Sequence, residues 1–201
     1  MNLGLLTTYL VGGLMMLSII GYNISTYNST VETTSSVITQ NKLDDIVSTL
    51  QYDFTRIAYN LDTNLNDVYI SVTDSSISFR GDIYDDGIDD FDVLEWRLTS
   101  QEDTTSSNPN DYILKRTWNQ TPSIPANAIE FDYSAIYFRL NYFKRDGTAP
   151  VDDEDIRQIE VEIFVESNEP YLTKKSGEES YYKTVWKRKM TANNLIYKEG
   201  S

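Results

Sequence analysis

The chain begins with a long apolar run and then changes its hydrophobic period twice. Leu3 to Tyr22 reads LGLLTTYLVGGLMMLSIIGY. About 20 such residues, at ~1.5 Å each in a helix, span roughly 30 Å, the thickness of a bilayer's hydrocarbon core. Residues 23–41 (NISTYNSTVETTSSVITQN) are rich in Ser, Thr and Asn, whose side chains compete for backbone groups and weaken helices. A strong amphipathic pattern follows. Leu43, Ile46, Val47, Leu50, Phe54, Ile57, Ala58 and Leu61 recur at three- and four-residue steps, with Lys42, Asp44, Asp45, Thr49, Asp53 and Arg56 on the other face. This spacing predicts a helix of about five turns ending between Asn60 and Asn64. Gly12, Gly13 and Gly21 are either helix-weakening positions or places of close helix packing.

From Asp67 onward the period falls to two. Val68, Ile70 and Val72 alternate, then Ile77 and Phe79, then Leu94, Trp96 and Leu98. Ile129 and Phe131 follow, then Ile136, Phe138, Leu140 and Tyr142, then Ile159, Val161, Ile163 and Val165. Clusters of Gly, Pro, Asn, Asp and Ser bound these runs, as expected of antiparallel strands with one face in a core. Loops are expected at 100–110, 119–127, 145–155 and 167–180, and a last strand over 181–190. The fold class predicted is α+β: a long N-terminal helix, hydrophobic then amphipathic, packed on seven or eight antiparallel strands. Three regions result: a hydrophobic helix over 1–22, a polar stretch and amphipathic half-helix over 23–64, and a β-rich head over 65–201.

Composition removes whole classes of chemistry. The 201 residues include no histidine and no cysteine, so a Ser-His-Asp triad, a thiol nucleophile, a disulfide and an ordinary zinc or haem site are all excluded. No acid pair is framed by a recognisable hydrolase motif, and the expectation is a protein that is not an enzyme. The formal charge is −14, with 31 acidic against 17 basic residues, which argues against general nucleic-acid binding. That charge is uneven, since nothing ionisable on a side chain other than tyrosine precedes Glu32. The apolar run therefore reads as a membrane anchor or assembly helix, a cleaved signal, or a helix buried among other subunits. A secretory signal normally has a basic n-region and a small-x-small cleavage site, and Ile19, Ile20 and Tyr22 stand where small residues would be needed. The assembly face expected on this helix comprises Leu5, Leu6, Leu10, Val11, Leu14, Leu17 and Ile20.

The order of these parts resembles that of type IV pilin-like subunits. The string Leu50-Gln-Tyr-Asp53-Phe-Thr-Arg56-Ile-Ala58-Tyr59 is similar to the end of the first helix in minor pilins and J-type minor pseudopilins. Ile77-Ser-Phe79-Arg-Gly-Asp82 through Asp89 resembles the strand and Asp/Gly-rich turn of pilin-like heads. Met190-Thr-Ala-Asn193-Asn194-Leu195 is similar to their closing strand. The family's basic leader, the Gly before its cut and the Glu at mature position five have no counterpart. Either the sequence begins at a mature end or the chain is a divergent relative exported without prepilin peptidase. Without that Glu, helix docking rests on apolar packing, with Thr7 and Thr8 supplying hydroxyl contacts. The resemblance implies a filament subunit whose partners are copies of itself or other pilin-like subunits. It would be held in the inner membrane before assembly and exposed on the cell surface of a bacterium or archaeon afterwards. The alternative from a different class is a single-pass, membrane-anchored extracytoplasmic binding domain or an accessory subunit of a membrane complex.

One constellation carries site chemistry. Asp82, Asp85, Asp86, Asp89, Asp90, Asp92 and Glu95 lie within 14 residues with no base among them. On the calcium-loop rule Gly87 takes the sixth position, Asp82 the first, Asp86 the fifth, the Ile88 carbonyl the seventh and Asp90 the ninth. Tyr84 at the third and Val93 at the twelfth exclude a complete EF-hand, leaving a looser Ca²⁺ site or a hairpin turn with solvated acids. Asp152-Asp-Glu-Asp155 reads as an exposed loop. From Tyr171 onward the trend reverses, with seven bases against three acids. A basic strand here suits either head-to-tail packing or lysine protection of a sheet edge. The tilt to tyrosine (15 of 25 aromatics) suits half-buried strands and subunit interfaces. Sequons at Asn23, Asn28 and Asn119 are candidate glycan acceptors.

Overall fold

The computed structural model describes residues 3–61, 68–83, 91–119, 128–173 and 176–198, with side chains to residue 195. Helix α1 (Leu3–Thr55) is continuous through all 53 residues, about 80 Å at ~1.5 Å per residue. The Ser/Thr-rich stretch does not interrupt it. Its hydroxyls donate back into their own helix, as Thr30 does to the Thr26 carbonyl (2.9 Å), Thr33 to Ser29 (2.8 Å) and Thr39 to Ser35 (2.7 Å). Thr8 and Ser18 do the same within the apolar half, bonding Gly4 (2.9 Å) and Leu14 (3.0 Å).

The helix stops at Thr55, five to nine residues earlier than the sequence pattern predicts. Ala58 and Asn60 both take the left-handed conformation (φ 58°), which a helix cannot continue through. The freed carbonyls find partners: Asn194 Nδ2 donates to Thr55 O (2.8 Å) and Ile57 O (2.9 Å). Ala58 N donates to Arg80 O at 3.0 Å, tying the turn to the sheet beneath.

Ten strands follow among the described residues. The first five, β1 (Tyr69–Val72), β2 (Ser76–Gly81), β3 (Asp92–Glu102), β4 (Tyr112–Asn119) and β5 (Ile129–Ala135), form an antiparallel meander in sequence order. A second sheet, of β6 (Tyr137–Phe143), β7 (Gln158–Glu166) and β10 (Lys183–Thr191), places β7 in the middle. A small hairpin of β8 (Leu172–Thr173) and β9 (Glu179–Ser180) lies between β7 and β10 in sequence. Strand β4 was absent from the predicted alternation. Helix α2 (Asn193–Lys198) closes the described chain. The acids at Asp153–Asp155 form one 3₁₀ turn on the surface, with Asp155 paired to Lys144 (2.7 Å).

The C-terminal part of α1 seats on both sheets. Its buried series steps through Thr39, Leu43, Ile46, Leu50 and Phe54, and with Ile57 of the turn beyond it packs with Phe79, Leu94 and Trp96 of the first sheet and Val161 and Ile163 of the second. The end of β2 runs so close under the helix terminus that a Cβ on Gly81 would lie 2.1 Å from the Arg56 carbonyl oxygen. Because that neighbour is backbone, it cannot swing aside. Gly81→Ala is therefore expected to lower stability by about 1–3 kcal/mol in urea unfolding, the usual cost of overpacking. An unchanged midpoint would contradict the close approach.

Candidate assembly helix and its seat in the head

The first half of α1 stands clear of the head. Leu5, Leu6, Leu10, Val11, Leu14, Leu17 and Ile20, the expected assembly face, are all exposed. None of its most apolar stretch is buried, and this helix is long and apolar enough to cross a membrane. Uncharged and wrapped in its own hydrogen bonds, such a rod meets the requirement that backbone groups be satisfied internally in lipid.

What aims the rod is a buried ion pair. Asp53 lies on the side of α1 that meets β3 and β4, and is fully buried. Arg116 on β4 grips it with two bonds, Nε to Oδ2 at 2.7 Å and Nη2 to Oδ1 at 2.9 Å, and Trp96 Nε1 on β3 donates to Oδ2 at 2.8 Å. Phe131 covers the Arg116 guanidinium at 5.2 Å, and Tyr133 stacks on Trp96 with centroids 5.5 Å apart. Burial pushes the Asp53 carboxyl up from its ordinary range, and the bonds from Arg116 and Trp96 pull against that. The sequence pattern set Asp53 on the solvent face with Asp44 and Asp45. The latter two are exposed, but Asp53 is in the core, because a cation from the sheet meets it there.

A second polar seat lies where the rod enters the head. Lys42 Nζ reaches Asp111 Oδ2 (3.3 Å), Asn168 Oδ1 (3.0 Å) and the Glu166 carbonyl (3.4 Å). Burial lowers the Lys42 pKa and raises that of Asp111, each opposed by the other's charge. Asn108 ties the same loop across to Glu166 Oε2 (3.0 Å) and the Ser167 carbonyl (3.2 Å). The turn before β4 and the end of β7 thus close round one helix face. Asp103 anchors that turn, accepting from Thr105 N (2.9 Å), Thr105 Oγ1 (2.6 Å) and Ser134 Oγ. Burial opposes its ionisation, but these hydrogen bonds outweigh it and hold the carboxyl below its ordinary value.

The candidate cation loop divides at the edge of the described residues. Asp86, Ile88 and Asp90 lie outside them. Asp82 is buried and accepts from Asn60 Nδ2 (3.1 Å), and Asp92 Oδ2 accepts from Ile83 N (2.8 Å). Among the described residues no group of three or more acids is placed to hold a metal. The basic strand is clearer. It is β10, at the edge of its sheet, and Lys183, Lys187 and Lys189 stand opposite Glu166, Glu162 and Glu160 of β7. Lys187 Nζ lies 3.4 Å from Glu160 and 3.8 Å from Glu162. Within its own sheet, then, Lys187 is paired with glutamates, while Lys183 and Lys189 lie over the Phe164 and Phe143 rings.

A long N-terminal helix seated on antiparallel sheets is an architecture compatible with a pilin-like fold. No protein family matches this chain, and neither a curated protein nor a solved structure matches it.

Breaking one partner of the buried pair leaves an unpaired buried charge. Arg116→Met or Asp53→Asn alone is expected to cost about 3–5 kcal/mol in urea unfolding, and Asp53→Leu with Arg116→Met less than the worse single change. Strictly additive losses would contradict the pairing. For Asp103 the sign is set by its depressed pKa. Its contribution is present above the unfolded value of about 3.9 and lost as pH falls through the folded value. The destabilisation caused by Asp103→Ala should shrink between pH 6 and pH 3; a constant difference would overturn this.

Proposed function

We propose that this chain is a structural subunit of a type IV pilus-like or pseudopilus-like filament. In this reading its apolar rod first holds it in the membrane and then packs among the rods of neighbouring subunits, displaying the acidic β head outside. The observation that carries the reading is the unbroken helix. A bare anchor needs only a span and a joint, whereas here the same helix continues into the core of the head. Its direction there is set by the Asp53–Arg116–Trp96 bonds, so the rod cannot turn without moving the sheets. Stacking subunits at a fixed repeat requires such a rigid connection.

The role is non-catalytic in this reading, consistent with a chain that has neither histidine nor cysteine. Nucleic acid is not a partner in it, since the lysines of β10 face glutamates on the next strand. Deleting residues 1–30 in the producing cell is expected to leave a folded head and to abolish the extracellular polymer seen in negative-stain images. Polymers that persist without the rod would refute the filament reading, and a cell that shows no polymer with the intact chain would favour the anchored binding domain.

A further inference from the structure

The rod does not stop being apolar where the membrane-length segment ends. Between Asn23 and Ile38 the chain has five large apolar residues, Ile24, Tyr27, Val31, Val37 and Ile38, among eleven that are polar or charged. Four of the five continue a single series of alternating three- and four-residue steps. That series runs Leu3, Leu6, Leu10, Gly13, Leu17, Ile20, Ile24, Tyr27, Val31, Thr34 and Ile38. Every first position of each seven is aliphatic: Leu3, Leu10, Leu17, Ile24, Val31 and Ile38. Apart from half-buried Val31, the whole series is exposed. Ile24, Tyr27 and Ile38 show 57, 69 and 59% of their surface, beyond the span that lipid would cover.

Val31 apart, the head leaves this face open. The residues that extend the series, Asn41, Asp45 and Ser48, remain exposed, while the head buries Thr39, Leu43, Ile46 and Leu50. A second helix can therefore lie along the series from Leu3 to Ile38 without displacing the head from its own helix. The spacing says which kind of helix fits. A strict seven-residue repeat drifts about 20° per heptad on a straight helix, and two helices with the same repeat keep contact by a left-handed supercoil. Charge allows the partner to be identical, because Glu32 is the sole charged residue between Leu3 and Asn41 and lies beside the series. The first charge on the series itself is Asp45, where like charges would meet and end the pairing. A seam of 36 residues is about 54 Å long. At ~10 Å wide it buries on the order of 1,000 Å² over two copies, enough for a specific interface.

We infer that the rod pairs, parallel and in register, with the rod of a second copy of this chain, through a coiled-coil seam that continues out of the membrane-length segment to Ile38. The inference rests on the rod's being an assembly element and adds its partner, face and register. In water the aliphatic side chains at 24, 31 and 38 supply the hydrophobic drive that lipid does not give the segment before them.

The absence of cysteine makes the test clean. Helix axes 8–10 Å apart place facing Cα atoms about 4–6 Å apart, within disulfide reach, and outward ones more than about 12 Å apart. Full-length single-cysteine chains in their native membrane are oxidised with copper-phenanthroline, with near-ultraviolet circular dichroism as a check on the head. Ile24→Cys and Val31→Cys should form disulfide dimers at least tenfold faster than Ser25→Cys and Ser29→Cys. Equal rates at all four positions, or no dimer at 24 and 31, would overturn the seam. In a mixture of the two variants, 24-to-31 linkage at the expense of 24-to-24 would overturn the register. If rod deletion removes polymers while Ile24→Cys stays monomeric, the filament reading stands and this inference falls.

Discussion

The contact between Asp53, Arg116 and Trp96 is the constraint on which the rest of this structure depends. It joins the last turns of an 80 Å helix to two adjacent strands of the larger sheet through three hydrogen bonds in the core. Apolar packing alone would hold the helix on the sheets but tolerate sliding, since neighbouring aliphatic side chains are nearly interchangeable in energy. A buried bidentate ion pair does not tolerate it, because a shift of one residue would leave two charges in the core without partners. The rotation and depth of α1 are therefore fixed at one end, and Lys42 with Asp111 and Asn168 fixes the other end of the seated part. Between these two polar seats the aliphatic stripe supplies the bulk of the burial.

Rigidity at the seat gives the projecting half its meaning. A span of this length and composition is common to anchors and assembly helices alike, and length does not separate them. The difference lies at the junction. Here no glycine or proline pair intervenes between the apolar segment and the head, and the Ser/Thr-rich connection stays helical by returning its hydroxyls to its own carbonyls. The acidic head and the apolar rod are thus joined by one continuous helix, the rod long and apolar enough to cross a membrane.

Much of this is legible in the sequence, and the two misses that matter most for the seat of the helix share one cause. The apolar rod, the amphipathic half-helix and the period-two runs of β2, β3, β6 and β7 follow from patterning alone. Strand β4 broke the pattern because its inward row is Tyr112, Leu114, Arg116 and Trp118, with a cation where an aliphatic residue would be expected. Residue type likewise sends Asp53 to solvent, although it lies seven residues after Ile46 and three after Leu50, in step with the buried stripe. Position thus marked Asp53 as buried, and residue type argued otherwise. The partner lies 63 residues away on a strand that patterning did not reveal, so no local signal could pair them. The acidic turn is conspicuous in sequence, yet the three members that are placed serve as hydrogen-bond acceptors, Asp82 for Asn60, Asp92 for Ile83 and Glu95 for Arg97.

The central claim is that rod and head form a single rigid body. Distance measurement by pulsed electron resonance between spin labels at Thr26→Cys on the rod and Thr117→Cys on β4, diluted with unlabelled chain, tests it most directly. One narrow distance distribution is predicted for the intact chain, broadening when Arg116 is replaced by Met. A broad distribution in the intact chain, as from a head swinging on a joint, would contradict the account.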